Sequence, residues 1–233
     1  MARNAHPEET VAKILDVALE LFFTKGYDRT SIQDIIDNLG GLTKGAVYHH
    51  FKSKEDILSA ALDRENQSLY AELRRIRDNG KMSGREKLQS LFEASINGSQ
   101  LEIWARISPS TDPVQNARLL GLQYQSVFDV IAPRYVQPII EQGVRDGSIE
   151  TDQPKELAEV LVLLANLWAG PMFRTSSADD LKRRFDFYIT TARALGAEIS
   201  VSGMDESLER YRSTLSENIR TRKTEEANDP MAP

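Results

Sequence analysis

An all-α protein in two parts is what this chain predicts, on three observations. Apolar residues recur at intervals of three and four along most of its length. Hydroxyl or acidic residues stand ahead of those runs and glycines behind them, and no stretch alternates in the two-residue rhythm of a half-buried strand. The expected parts are a small three-helix unit over residues 1–55 and a helical body over residues 56–222. A polar, proline-ended tail of disordered composition, 223–233, follows.

The elements justify themselves in order. From Pro7 to Lys25, Val11, Ile14, Leu15, Ala18, Leu21 and Phe22 mark one face of an amphipathic helix, with Gly26 in the place of a C-terminal cap. Ser31 and Asp34 form a capping box that opens a second helix carrying Ile32, Ile35, Ile36 and Leu39, and Gly40-Gly41 stop it. Thr43 caps a third helix to about His50. Ser53 with Asp56 then caps a long one running from Lys54 to Asn79. Ser83 and Glu86 start another, through Leu88, Leu91, Phe92 and Ser95, whereas residues 97–111 read as a broken helix. A helix opened by Asp112-Pro113 continues to Asp146, with Pro133 and Pro138 expected to kink or split it. The most apolar helix, 154–173, is followed by a partner over 179–195 and by a last amphipathic helix from Met204 to about Arg222.

Composition narrows the function. The 233 residues include no cysteine, which excludes a disulfide framework or a thiolate metal site. No apolar run reaches membrane-spanning length and no secretory leader is readable, so the expected location is the cytoplasm. No serine sits in a nucleophile elbow and no glycine-rich phosphate loop occurs, which speaks against an enzyme and against a cofactor. His49 and His50 are adjacent, about 100° apart around a helix, and do not converge on one metal ion.

The net charge of −6 argues against indiscriminate nucleic-acid binding, and residues 1–60 alone carry seven Lys/Arg against nine acids. Yet no acid falls between Asp37 and Glu55, and Lys44, Lys52 and Lys54 share that window. A short, locally cationic helix between two caps is what a helix-turn-helix presses against phosphates.

Thr43, Lys44, Gly45, Val47, Tyr48, His50 and Phe51, followed by Lys52-Ser53-Lys54-Glu55, resemble the DNA-binding signature of TetR-family transcriptional regulators. The resemblance is strong over about residues 10–60 and only architectural beyond. One departure is Gly40-Gly41-Leu42, where the turn is a residue longer than the family pattern, with an expected shift in the tilt of the reading helix.

Lys44 is placed to reach a guanine edge or a phosphate, and Gly45-Ala46 to let the backbone approach the major groove. Tyr48, His49 and Lys54 are expected on phosphates, with Ser31 and Thr43 aiming capped helix ends at them. The resemblance implies that Gln33 also reads a base. It implies too that the helical body encloses a small-molecule effector site and pairs with a second copy. Trp104, Gln123, Tyr124, Phe128, Asn166 and Trp168 are the candidates for that pocket, with ordinary core packing the alternative. Leu161, Leu164, Phe185, Tyr188 and Ala192 are the candidates for the dimer interface, with a deep monomer core the alternative. The function implied is a ligand-responsive regulator, a repressor, binding a pseudo-palindromic double-stranded operator as a homodimer. The rival is a helical DNA-binding adaptor controlled by a protein partner.

Overall fold

The structure, a computed structural model, describes residues 7–97, 114, 117–170, 176–200 and 204–228, and every regular element among them is helical. Two compact units divide the chain, Met1–Glu72 with Ser110–Leu119 and Leu73–Pro109 with Leu120–Pro233. The division therefore falls within a long helix and not at residue 55. The reason is packing: after the cap at Ser53, the first turns of that helix bury Ile57, Leu58 and Ala61 in the core of the first unit.

The first unit is built from α1 (Pro7–Thr24), α2 (Ile32–Asp37), α3 (Lys44–His50) and the start of α4 (Lys54–Arg77). Its core collects Ile14, Leu15, Ala18 and Phe22 from α1, Ile35 and Leu39 from α2 and its turn, and Val47 and Phe51 from α3 and its end, all buried. Each fully buried aliphatic or aromatic side chain of this kind contributes about 1.5–3 kcal/mol. Tyr27, just after α1, packs its ring 5.1 Å from that of Phe22. Thr30 is buried and satisfied, its hydroxyl donating to the Gly26 carbonyl at 2.8 Å.

The second unit holds α5 (Gly84–Asn97), most of α6 (Ala117–Ser126), a π-helical stretch Val127–Val136, and α7 (Gln137–Asp146). After it come α8 (Pro154–Leu163), a second π-helical stretch Leu164–Ala169, α9 (Ala178–Ala194) and α10 (Met204–Asn228). Pro133 does not interrupt the helical path from Ala117 to Asp146. It lies inside the π-helical stretch, whose wider turn relieves the clash a proline ring makes in α-helical spacing. Gly147, at φ 75°, closes α7. Ser177 caps α9 by accepting from the Asp180 N–H at 3.1 Å. The last helix runs to Asn228, so part of the tail expected to be disordered is helical; Thr224 to Ala227 contain neither proline nor glycine to stop it.

Helices α5 and α7 meet at two glycines. A Cβ on Gly84 would lie 2.3 Å from both Cα and N of Gly143, so backbone meets backbone there. The Gly84 N–H donates to the Asp146 carboxylate at 2.9 Å. Nearby, Lys87 is only 3% exposed, and its ammonium donates to the Arg77 carbonyl and to Gln142 Oε1, both at 2.6 Å. Gln142 in turn donates to the Met82 carbonyl at 2.9 Å. Burial of this cation is tolerated because strong acceptors replace its water.

Candidate nucleic-acid interface and effector region

Helix α3 is short, capped and two-sided. The Thr43 hydroxyl accepts from the Ala46 N–H at 3.3 Å, satisfying one of the orphan donors of the first turn. Val47 and Phe51 turn inward and are buried, while Lys44, Gly45, Tyr48 and His49 are exposed and Ala46 is half-buried. Lys44 and Tyr48, one turn apart, lie together, the ammonium 5.8 Å from the ring centroid. Around Gly45 the nearest atom to an added Cβ is the Thr43 hydroxyl at 3.9 Å, so the fold itself does not demand glycine there. Gly40 and Gly41, in the turn before α3, have φ of 59° and 102°, a conformation that side chains resist.

The expected capping box at Ser31 is formed. Its hydroxyl accepts from the Asp34 N–H at 3.1 Å, and its own N–H donates to Asp34 Oδ2 at 2.7 Å. The Lys25 ammonium, 2.6 Å from Asp34, and then Ser31 hold that carboxyl well below the usual carboxylate range. Gln33 is exposed, its amide donating to Asp37 at 2.8 Å. The box at Ser53 is offset by one residue: its hydroxyl accepts from the Asp56 N–H at 3.1 Å, but the N–H returned to Asp56 is that of Lys52, at 3.0 Å.

Lys54 departs from its expected role. Half-buried, it donates to the Tyr27 carbonyl at 2.8 Å and stands 4.2 Å from the centroid of that ring, so its charge serves the unit's interior. Tyr27 is the centre of a cluster of side chains from distant parts of the first unit. Its hydroxyl donates to Glu55 at 2.8 Å, and the Arg118 guanidinium lies 5.5 Å from its ring. Burial first, then the bond to Glu55, push the Tyr27 phenol up to about 12, and the same bond lowers Glu55. Only the aromatic residue after a helix-ending glycine hinted at this; the partners are 27 and more residues away in sequence.

Of the effector candidates, two come together directly. The Gln123 amide on α6 donates to Asn166 Oδ1 at 3.2 Å, and Asn166 donates to the Val162 carbonyl at 2.9 Å. Tyr124 and Phe128 pair at 4.8 Å between ring centroids, with Tyr124 largely exposed. Trp168 instead packs edge-on against Phe187 at 5.7 Å, both exposed. Trp104, like the expected cap Asp112-Pro113, lies outside the described residues. A cleft of about 440 Å³ opens elsewhere in the second unit, lined by Met82, Arg85, Gln89, Arg193, Glu198 and Ser200 among others.

The interface candidates need a correction. Leu161, Phe185, Tyr188 and Ala192 are buried within the second unit itself, Tyr188 stacking on Phe92 at 5.6 Å. Only Leu164 is half-buried. Apolar side chains left at the surface of these helices are Val160, Trp168, Phe187 and Leu195. Helical periodicity marks which residues share a face but not which of two apolar faces the chain covers with itself.

The family model for bacterial regulatory proteins of the tetR family matches residues 14–61, which span α1 to the first turns of α4. The transcriptional repressor KstR2 of Rhodococcus jostii is 30% identical over 149 residues, covering 63% of this chain and 71% of that protein. This chain belongs to the TetR family. As a TetR-family protein it is a helix-turn-helix transcriptional regulator and not an enzyme. The A-factor receptor protein of Streptomyces griseus is 38% identical over 69 residues, 30% of this chain and 25% of that protein. A crystal structure of a gamma-butyrolactone receptor shares the fold, with a TM-score of 0.58 at 20% identity, covering 93% of this chain and 99% of that one. No described helix is long and apolar enough to cross a membrane.

Proposed function

We propose that this TetR-family regulator is a ligand-responsive repressor that binds a pseudo-palindromic DNA operator as a homodimer. The observation that carries the reading is the division of α3 into a buried side, Val47, and an exposed side bearing Lys44, Gly45, Tyr48 and His49 on a hydroxyl-capped N-terminus. That side enters the major groove, with Lys44 and Gln33 toward base edges and Ser31, Thr43, Tyr48 and His49 toward phosphates. The reading unit is α1 to α3 with the start of α4. Two copies would read half-sites about 34–36 Å apart, or a multiple of it.

The exposed apolar side chains of α8, α9 and the stretch between them support dimerisation. Trp168 and Phe187 are 39% and 62% exposed and already in contact, an unusual expense of aromatic surface in water. Pairing through them, with Val160, Leu164 and Leu195 around them, would cover that surface. Repression and a small-molecule effector are carried over from relatives, a repressor and a receptor by name. The polar pair Gln123–Asn166 beside Tyr124 and Phe128 is the region proposed to contact the effector. An effector acts only through unequal affinity for the operator-fitting and non-fitting states, so tight binding alone would not release DNA.

The test is to recover, from random duplexes, the DNA retained by the purified protein. A two-fold-related motif, bound with stoichiometry of two chains, is expected. Retention without sequence preference, or a motif lacking symmetry, overturns the reading.

A further inference from the structure

Two cations meet at the C-terminal end of helix α4 and bond to different partners. Lys87, from α5, places its ammonium on the carbonyl of Arg77 at 2.6 Å, where the helix dipole favours positive charge. Arg77 itself forks onto its neighbour Asp78, Nε to Oδ1 at 2.7 Å and Nη2 to Oδ2 at 3.0 Å. That leaves Nη1, which donates to the backbone carbonyl of Arg134 at 2.8 Å, and the guanidinium also lies 5.5 Å from the Tyr135 ring.

A main-chain carbonyl within a helix is normally committed to the N–H four residues on. For Arg134 that residue is Pro138, which has no N–H to give. The position is also where the π-helical stretch Val127–Val136 hands over to α7. The Gln137 N–H there still reaches back to the Ala132 carbonyl in the wide spacing. A change of spacing and a missing donor coincide at one acceptor, and a charged donor from another helix arrives at it.

We propose that Arg77 is a positioning residue that fastens the C-terminal end of α4 to an acceptor exposed by Pro138, and that this fastening tunes how the regulator holds DNA. The second clause rests on the DNA-binding reading above; the first does not. Its physical content is a docking point made by proline: residue 138 has no N–H to offer that carbonyl, and only a donor with a fixed planar fork serves Asp78 and the Arg134 carbonyl at once. Because α4 is the helix that begins immediately after the reading helix α3, loosening its far end should change the population of DNA-competent conformations without touching a phosphate contact.

The experiment is a double-mutant cycle in the full chain with Arg77→Gln and Pro138→Ala, read by thermal unfolding, together with duplex binding by Arg77→Gln and Arg77→Lys. Alanine at 138 restores a helical donor, so Arg77→Gln should lower Tm by about 2–4 °C in the native background and by less than half as much with Pro138→Ala. Equal losses in both backgrounds overturn the proline-made acceptor. On a duplex selected by the native protein, Arg77→Gln and Arg77→Lys should each weaken binding about five- to tenfold with an unchanged salt slope. Unchanged affinity shows the fastening to be structural only and overturns the second clause. If the native protein selects no duplex, the DNA-binding reading fails, and with it that clause, while the cycle still decides the first.

Discussion

The two units bury their apolar residues by different means. In the first, three helices are each bounded by a local device, the Ser31 box, the Thr43 cap or a positive-φ glycine, and the cation drawn inward, Lys54, is held by a carbonyl close to the core. In the second, helices are continuous but irregular. They widen into π spacing at Val127–Val136 and Leu164–Ala169, touch backbone to backbone at Gly84 and Gly143, and bury a lysine. The lesson is that the reading unit tolerates no ambiguity in its turns, whereas the body tolerates irregular helices because long-range contacts rather than caps define it.

Two identical substitutions break this comparison most sharply. Gly84→Ala drives a Cβ into the Gly143 backbone and should cost about 3 kcal/mol or more, visible as a large fall in the denaturant midpoint. Gly45→Ala meets only open space and a hydroxyl, so the helix should gain up to about 0.5–1 kcal/mol. Its expected defect is instead in duplex binding. If both variants lose stability alike, the contrast between a packing glycine and a surface glycine is wrong.

Next in size is Lys87→Met. It leaves the Arg77 carbonyl and Gln142 without their donor, and we expect a loss of about 1–3 kcal/mol in urea unfolding with binding chemistry at α3 unchanged. Lys44→Ala, in the other unit, should leave the unfolding curve in place while costing about 1–3 kcal/mol at one base position per half-site. A uniform loss across sequences would reassign Lys44 to a phosphate. Phe187→Glu should shift the protein toward monomer in ultracentrifugation without lowering Tm, since the side chain is 62% exposed; a dimer that persists moves the interface elsewhere.

How much of this was legible follows the same division. Capping boxes and helix-ending glycines are read within four residues of sequence, so α1, α2 and α3 and their order could be placed. The cluster of Tyr27, Lys54, Glu55 and Arg118 could not, because its members meet only after folding. Lys54 read as a phosphate ligand for that reason. In the body, the two prolines foretold irregularity but not the widened turns that absorb it. The apolar stripes of 154–173 and 179–195 showed which residues share a face, but Leu161, Phe185, Tyr188 and Ala192 are covered by the chain itself.

The smallest expected effect is in pH. Tyr27 is neutral in the fold up to about 12, whereas an unfolded phenol ionises near its ordinary value of about 10. Ionisation therefore favours the unfolded chain, and stability should decline as pH rises from about 10 toward 12. Asp34 and Glu55 titrate the other way: lowered in the fold, they stabilise it above the ordinary carboxylate range, and that contribution is lost on acidification through it. Tyr27→Phe should flatten part of the alkaline decline measured by Tm; Tyr188, raised by burial in the second unit, should account for the remainder. An unaltered alkaline limb in Tyr27→Phe would remove Tyr27 from this account.

Lys54 is committed to a main-chain oxygen, and the molecule's net charge of −6 repels an arbitrary duplex. If it binds DNA as proposed, a regulator built this way would hop more than it slides. It should leave a chromosome-wide occupancy trace of a few tall peaks over a nearly bare baseline, and a modest number of copies should be enough to keep its targets silent.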